Sequence, residues 1–331
     1  MKTLRRVLSA AAALALLLCG CSSIDLARYP RVSDPPPEFP AQNLTLYLPA
    51  DADEFLLDAM HQLADRVETL SGGSVSLTIS DGSGAEDAEL RVLTTANLIA
   101  ADKRMQFLSF PYLFANRETF LAVCGSEDGP VRTDRGLQKS LGGEILGVLY
   151  GGSLGYICRS RLYPEIGLTG GELGLLPDGW YGREAHLSFS ETAARDVSFG
   201  NSGRLQELME EGKIKYAEYR RDAGSGEELP SNAKYYEDTS HRFLAFWLVL
   251  RENTVDAQVW DLLSQSVSYI VGEQDSRRVI AEQDALDSLS GSVQIHTGDF
   301  EPLFFSARSY YRSDPEAAGI PAEIWAQLDS L

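Results

Sequence analysis

Three consecutive segments near the N-terminal end predict a strand, a helix and a second strand. Residues 44–48 alternate between apolar and polar side chains, which is the pattern of a half-buried strand. Apolar residues recur at helical spacing through residues 55–70, and Asp51 is predicted to cap that helix. Residues 75–79 form the second strand. Because a strand, a helix and a strand in this order pair in parallel through a right-handed crossover, we expect an α/β fold.

A third predicted strand, residues 90–93, is followed by small polar residues. These are Thr94, Thr95, Ala96 and Asn97, and we interpret them as a loop. In open α/β sheets, ligands bind at the carboxyl ends of the strands. Thr94, Thr95 and Asn97 are therefore predicted to contact a ligand through their hydroxyl and amide groups.

Residues 1–20 are predicted to be a signal peptide. Three basic residues precede an apolar segment, residues 10–18, that is too short to cross a bilayer. Residues 18–21 read Leu-Cys-Gly-Cys and fit a lipobox, so Cys21 is predicted to carry a lipid that holds the protein at a membrane surface. An ordinary secretory peptide, or a short anchor that is not cleaved, is the alternative. Residues 21–43 contain five prolines and predict an extended tether.

Length, charge and motifs narrow the classes of function. A chain of 331 residues exceeds the usual size of one domain, so two lobes are expected. A formal net charge of −19 argues against a nucleic-acid partner, whose phosphates attract Lys and Arg. Cys124 and Cys158 either form a disulfide or stay as two buried thiols, and the sequence leaves both open. Motifs for zinc proteases, nucleotide loops and redox pairs do not occur, so no cofactor is expected.

Two further segments carry alternatives. Residues 255–288 keep apolar residues at helical spacing and predict a helix long enough to span both lobes, although Gly272 can interrupt it. An oligomeric coiled coil is the alternative, but the apolar stripe drifts instead of keeping heptads.

Residues 151–155 match the G-x-S-x-G nucleophile elbow of α/β-hydrolases, with Ser153 as the nucleophile. Since the next residues predict more strand and not a helix, we expect a glycine-rich strand and no enzyme.

The segments after residue 218 predict ordinary elements. Arg220 and Arg221 follow a predicted strand and are interpreted as solvated charges. Residues 231–239 are interpreted as a short helix. Residues 241–250 predict a central strand, because they are apolar on both faces.

Several short motifs occur in a fixed order along the chain. They are PYLF at residues 111–114 before a helix capped by Asn116, residues 212–218 (a GvvDGqE-like turn), residues 234–237 with Thr239 and His241 (kfYE and T.H), and Trp260 with Leu263 (W..L). Over residues 44–293, this order resembles the solute receptors of tripartite ATP-independent periplasmic (TRAP) transporters, the DctP-like family.

The resemblance implies a two-lobed periplasmic-binding-protein-like fold with a cleft between the lobes and a long spanning helix. Lobe I would comprise residues 44–152 plus 240–282, and lobe II residues 153–239 plus 283–331. The resemblance also implies an extracytoplasmic receptor, anchored to the bacterial cell membrane as a lipoprotein, that closes on a small solute. The expected partners are that solute, the membrane surface and the TRAP membrane subunits.

The sequence departs from the family at three ligand positions. The arginine of the family's GlkiR segment, which grips a carboxylate, corresponds to His186, and Arg183 lies three residues earlier. An earlier family arginine corresponds to Leu154, and the asparagine after GqE to Tyr219. Arg183, His186 and Tyr219 are therefore the predicted ligand residues of lobe II. A histidine binds an anion only when it is protonated, so an organic acid as solute stays open. The alternative function is a sensory or protein-binding lipoprotein that keeps the fold without transport.

Overall fold

The computed structural model describes residues 38–49, 52–81, 87–162, 171–176, 194–221, 229–298, 300–313 and 319–331. The predicted signal peptide and Cys21 lie outside these residues, as do the tether up to residue 37, Arg183 and His186. Residues 39–331 form one compact unit. Within the described part of the chain, no helix is long and apolar enough to cross a membrane.

A mixed nine-stranded sheet runs through the described residues. Its strands are β1 (Gln42–Leu48), β2 (Val75–Asp81), β3 (Leu90–Thr94), β4 (Gly143–Cys158), β5 (Gly171–Leu175), β6 (Ala194–Phe199), β7 (Tyr216–Arg220), β8 (Tyr235–Arg251) and β9 (Gln294–His296). Their order across the sheet is β2-β1-β3-β8-β4-β7-β5-β6, and β9 pairs with β8. β1 is parallel to β2 and β3, whereas the long strands β4 and β8 are antiparallel.

Helices pack on both faces of this sheet. They are α1 (Glu54–Leu70), α2 (Thr95–Ala101), α3 (Arg117–Cys124), α4 (Arg135–Leu141), α5 (Ser202–Glu210), α6 (Ala257–Leu289), α7 (Glu301–Ser313) and α8 (Ala322–Ser330), together with a 3₁₀ helix (Lys103–Ser109). The predicted α/β class is confirmed.

The N-terminal strand-helix-strand unit is confirmed, but its helix is capped by a different residue. The cap is Asp53 and not Asp51: the Asp53 side chain accepts a 2.8 Å hydrogen bond from the backbone N–H of Leu56. Leu56, Met60 and Leu63 of this helix are buried in the core.

The long strands β4 and β8 pair at the centre of the sheet. β4 continues as a strand through all its glycines, without the sharp turn into a helix that a nucleophile elbow requires. The prediction of a glycine-rich strand is confirmed. β8 already begins at Tyr235, so the predicted short helix at residues 231–239 is wrong. The first residues of β8 pair with β4 and with β9, and these non-local hydrogen bonds outweigh local preference.

The buried apolar residues of the described chain form three clusters. One lies beneath α1 and the N-terminal half of α6 and includes Met60 and Val267. A second lies beneath α5 and the C-terminal end of α6 and includes Leu205 and Leu286. The third packs α3, α4, α7 and α8 on the other face of β8. Because α6 enters the first two clusters, it is the predicted spanning helix, and Gly272 does not interrupt it.

Within the part of the chain that the structure describes, the first half of β4 forms an edge of the sheet. Among the described residues, β7 pairs with residues 154–158 of β4, and the Arg221 N–H donates to the Ser153 carbonyl, so residues 143–152 pair with β8 alone. Arg132 lies along this edge and donates hydrogen bonds to the backbone carbonyls of Ile145 (3.2 Å) and Leu146 (2.6 Å). The guanidinium therefore occupies carbonyls that a further strand would need.

Cys124 and Cys158 do not form a disulfide, so the alternative of two buried thiols is correct. Cys124 ends α3, and Cys158 ends β4. Burial raises the pKa of both thiols. Since the thiolate is the reactive form, both side chains serve as small apolar core residues.

Candidate functional site

The buried face of α6 changes from apolar to polar and back along its length. Its buried residues are, in order, Val259, Leu262, Leu263, Ser266, Val267, Ile270, Gln274, Arg278, Glu282, Ala285, Leu286 and Leu289. The apolar residues of its two ends pack in different core clusters. We call the polar part, Gln274, Arg278 and Glu282, the polar interval. It lies where the helix passes between two cores, so the side chains around it form the candidate site.

Three charged side chains from separate elements meet at the polar interval. Asp53 precedes α1, Arg220 ends β7, and Arg278 lies on α6. Arg220 Nη2 donates a 2.7 Å hydrogen bond to Asp53 Oδ2, and Arg278 Nη2 lies 3.3 Å from the same oxygen. The Arg278 guanidinium also stacks on the Phe55 ring, 3.8 Å from its centroid. This cluster joins α1, which packs in the first core, to β7, which packs in the second.

The two arginines keep Asp53 ionised. Burial alone would raise the pKa of Asp53, but Arg278 and Arg220 outweigh burial and hold that pKa below its usual value. The Arg278 side chain is only 3% exposed, whereas those of Arg220 and Asp53 are 27% and 24% exposed. The contact between Asp53 and Arg220 is therefore the part of the cluster that solvent reaches.

Glu282 connects α6 to the middle of β4. Its Oε1 accepts hydrogen bonds from the Ser153 N–H (2.7 Å), the Ser153 hydroxyl (3.0 Å) and the Tyr150 hydroxyl (3.1 Å). The Ser153 hydroxyl thus donates its hydrogen bond to a carboxylate on α6. Burial raises the pKa of Glu282 despite these bonds. Nearby, Arg221 pairs with Asp238 over 3.2 Å.

A second buried charge cluster connects β7 to β8. The Glu218 carboxylate accepts hydrogen bonds from Arg242 Nη2 (2.9 Å) and Nε (3.1 Å), and from the Leu176 N–H (2.7 Å). His241 Nε2 lies 3.2 Å from it, and Tyr156 stacks on the His241 ring at 4.1 Å. Burial lowers the pKa of His241, which favours the neutral ring. Even here, within the described residues, no set of three His, Cys, Asp or Glu side chains is arranged to hold a metal ion.

Comparison with known proteins identifies related folds only among solved structures. No protein-family model matches the chain, and no curated protein matches its sequence. A TRAP periplasmic solute-binding protein from Escherichia fergusonii, in an apo open form, aligns with a TM-score of 0.73 at 16% identity. The alignment covers 87% of this chain and 99% of that one.

The chain has the fold of a TRAP solute-binding protein. The sugar acid binding protein of Advenella mimigardefordensis, solved with galactonate, aligns at a TM-score of 0.67 and 14% identity, over 88% of this chain and 98% of that one. A TRAP protein from Anaerococcus prevotii with bound D-glucuronate aligns at 0.67 and 15%, over 87% and 96%. The predicted two-lobed fold is confirmed.

Thr94, Thr95 and Asn97 lie at the carboxyl end of β3, but they do not form the predicted loop. Thr95 starts α2, and Thr94 is its cap. The Thr94 N–H and hydroxyl both donate to Asn97 Oδ1 over 2.9 Å, and the Asn97 N–H donates back to Thr94 Oγ1 over 3.3 Å. These polar groups satisfy the start of a helix, and their contact with a ligand stays a prediction.

Two of the positions predicted to correspond to family ligand residues, Leu154 and Tyr219, are buried in an apolar cluster. Leu154 has no exposed surface and Tyr219 is 6% exposed, and both pack in the cluster that contains Leu286. Tyr219 as a wall of the ligand site stays a prediction, and Arg183 and His186 lie outside the described residues.

Sequence reasoning misses the charged residues of the candidate site. The interpretation of Arg220 and Arg221 as solvated charges is wrong, because their side chains are 27% and 24% exposed and pair with carboxylates. Arg278 and Glu282 do carry a sequence signal. With Gln274 they follow one another at four-residue spacing and continue the apolar stripe of α6 with polar residues.

Proposed function

We propose that this chain is a receptor that captures a small solute between its two lobes by closing them. The observation that carries the proposal is the polar interval of α6, which separates two apolar cores and gathers charged side chains from both. Structures of the same fold were solved with galactonate and with D-glucuronate. Closing by a hinge motion would bury the solute beside the polar interval.

We further propose lobe I as residues 44–152 plus 240–282, with lobe II formed by the rest of the folded chain. Irregularities in both crossing strands support this division. β4 changes register on either side of Ser153, and Ser240 in β8 has a positive φ of 43°. Strands bend at such positions, so the two lobes can rotate about them.

A thermal-shift screen tests the receptor function. The panel would contain D-glucuronate, D-galactonate, other organic acids, neutral sugars and amino acids. A ligand at a hundredfold excess over its Kd should stabilise the protein by about 2.7 kcal/mol. The same ligand should reduce the radius of gyration in X-ray scattering, because the lobes close on it. If no compound stabilises the protein, the receptor proposal is contradicted.

We propose that the receptor is a lipoprotein, anchored through Cys21 and working outside the cytoplasm beside TRAP membrane subunits. The lipobox at residues 18–21 and the TRAP fold support this. Fatty-acid labelling in cells should mark the wild-type protein and the matched variant Cys19→Ser, and it should disappear in Cys21→Ser. Label that survives in Cys21→Ser would contradict the anchor.

One observation favours a second function, a sensory or protein-binding lipoprotein that keeps the fold without transport. Leu154 fills, without exposed surface, a position where TRAP receptors carry an arginine for the solute. Genes for TRAP membrane subunits beside the gene of this chain would support transport. A neighbouring histidine kinase gene would support sensing.

A further inference from the structure

Two guanidiniums converge on one carboxylate oxygen at the polar interval. Arg220 Nη2 and Arg278 Nη2 lie 2.7 Å and 3.3 Å from Asp53 Oδ2. The other oxygen, Oδ1, accepts the N–H of Leu56 at the start of α1. Guanidiniums suit carboxylates because their donors form short, charge-assisted hydrogen bonds with them. The two arginines therefore form a site for one carboxylate group, and Asp53 occupies it.

The members of this site belong to different halves of the molecule. Asp53 is fixed to α1, and Arg278 is held beside it because its guanidinium stacks on Phe55 of the same helix. Arg220 ends β7, whose Tyr219 packs in the other core. On the lobe division proposed above, separating the lobes would keep Asp53 and Arg278 together and would move Arg220 away from them.

We propose that Arg220 and Arg278 bind the carboxylate of the solute, and that the Asp53 carboxylate occupies this site until the solute displaces it. The inference rests on the proposed receptor function and names the chemistry of its solute, a small carboxylic acid. It also places the binding arginines on β7 and α6.

Asp53 acts in this scheme as an internal competitor. A solute carboxylate must replace the contact between Asp53 and Arg220. The free energy of that lost contact is subtracted from the free energy that the solute gains by binding the arginines. A neutral solute cannot replace that contact and leaves the cluster as it is. The cluster therefore favours negatively charged solutes over neutral ones, and competition from Asp53 lowers the affinity for every acid.

The substitution Asp53→Asn tests the competitor role. Asparagine caps helices as well as aspartate does, so α1 keeps its start while the negative charge is lost. We expect D-glucuronate and D-galactonate to bind roughly tenfold more tightly to this variant, because a charge-assisted contact no longer competes. Isothermal titration calorimetry on the intact protein measures the affinity. Glu54→Gln removes the same charge one residue away, from an exposed side chain, and should leave the affinity unchanged.

The substitution Arg220→Gln tests the binding role. It should weaken both acids by roughly tenfold or more, and Arg220→Lys should recover only part of the loss, since an ammonium cannot bind a carboxylate through two parallel hydrogen bonds. Melting temperatures without ligand, measured for every variant, show that each still folds.

Each other outcome overturns the inference in a recognisable way. If Asp53→Asn weakens acid binding as Arg220→Gln does, the ion pair only holds the closed form together. If neither substitution changes the affinity for a bound acid, the solute lies elsewhere. If the solute panel yields only a neutral ligand, the receptor proposal stands and this inference fails. If neither the wild type nor Asp53→Asn binds any compound, both fail.

Discussion

Glu282 is a carboxylate that the fold buries between a helix and a strand. It accepts hydrogen bonds from Ser153 and Tyr150, yet burial raises its pKa above the value in the unfolded chain. Over the pH range between those two values, the folded protein holds a proton that the unfolded chain has released. The contribution of Glu282 to the free energy of unfolding therefore falls as the pH rises through that range.

Replacing Glu282 by glutamine should remove this dependence and keep a hydrogen-bonding side chain of the same shape. The free energy of unfolding of Glu282→Gln, minus that of the wild type, should increase between about pH 4 and about pH 7.5. Urea unfolding at the two pH values measures it. Glu273→Gln, exposed on the same helix, should show no such increase. A constant or falling difference for Glu282→Gln would show that its pKa is not raised.

At the scale of elements, α6 carries a glycine that its packing does not require. A Cβ added at Gly272 would meet nothing within 4 Å, and the residue is exposed. Glycine inside a helix costs about 0.5–1 kcal/mol relative to alanine. Gly272→Ala should therefore raise the free energy of unfolding by about that amount in chemical denaturation.

Gly147 on β4 is the matched contrast. Its Cβ would lie 2.6 Å from Val267 Cγ1 of α6, so Gly147→Ala should destabilise the protein. If Gly272→Ala were destabilising as well, α6 would not be the uninterrupted helix that the fold indicates.

Elements with long regular patterns are predictable from this sequence, and elements fixed by distant partners are not. The β1-α1-β2 unit and α6 repeat their apolar residues over several turns or strand positions, so their type follows from local spacing. The start of β8 has no such pattern, and it is a strand because β4 and β9 lie on either side. Thr94 and Asn97 form a cap, which a short polar run does not distinguish from a loop.

At the scale of the whole molecule, the candidate site depends on topology. Asp53 lies 167 residues from Arg220 and 225 residues from Arg278 along the chain. No local motif relates positions so far apart, so sequence reasoning predicts a cleft but not the charges at the polar interval. The order of β1, β8, β4 and β7 in the sheet brings them together.

The connection between the lobes also belongs to this scale. β4, β8 and α6 each run from one core cluster to another, so continuous elements link the two halves. The lobe closing proposed above would therefore bend these two strands and this helix.

The edge of β4 affects how copies of this protein associate at high local concentration. Unpaired carbonyls at a sheet edge can accept hydrogen bonds from a strand of another molecule, and such pairing can lead to amyloid-like aggregation. The Arg132 guanidinium spans two of those carbonyls and adds a positive charge that an approaching strand would have to desolvate. Arg132 thus disfavours self-association through this edge of the sheet.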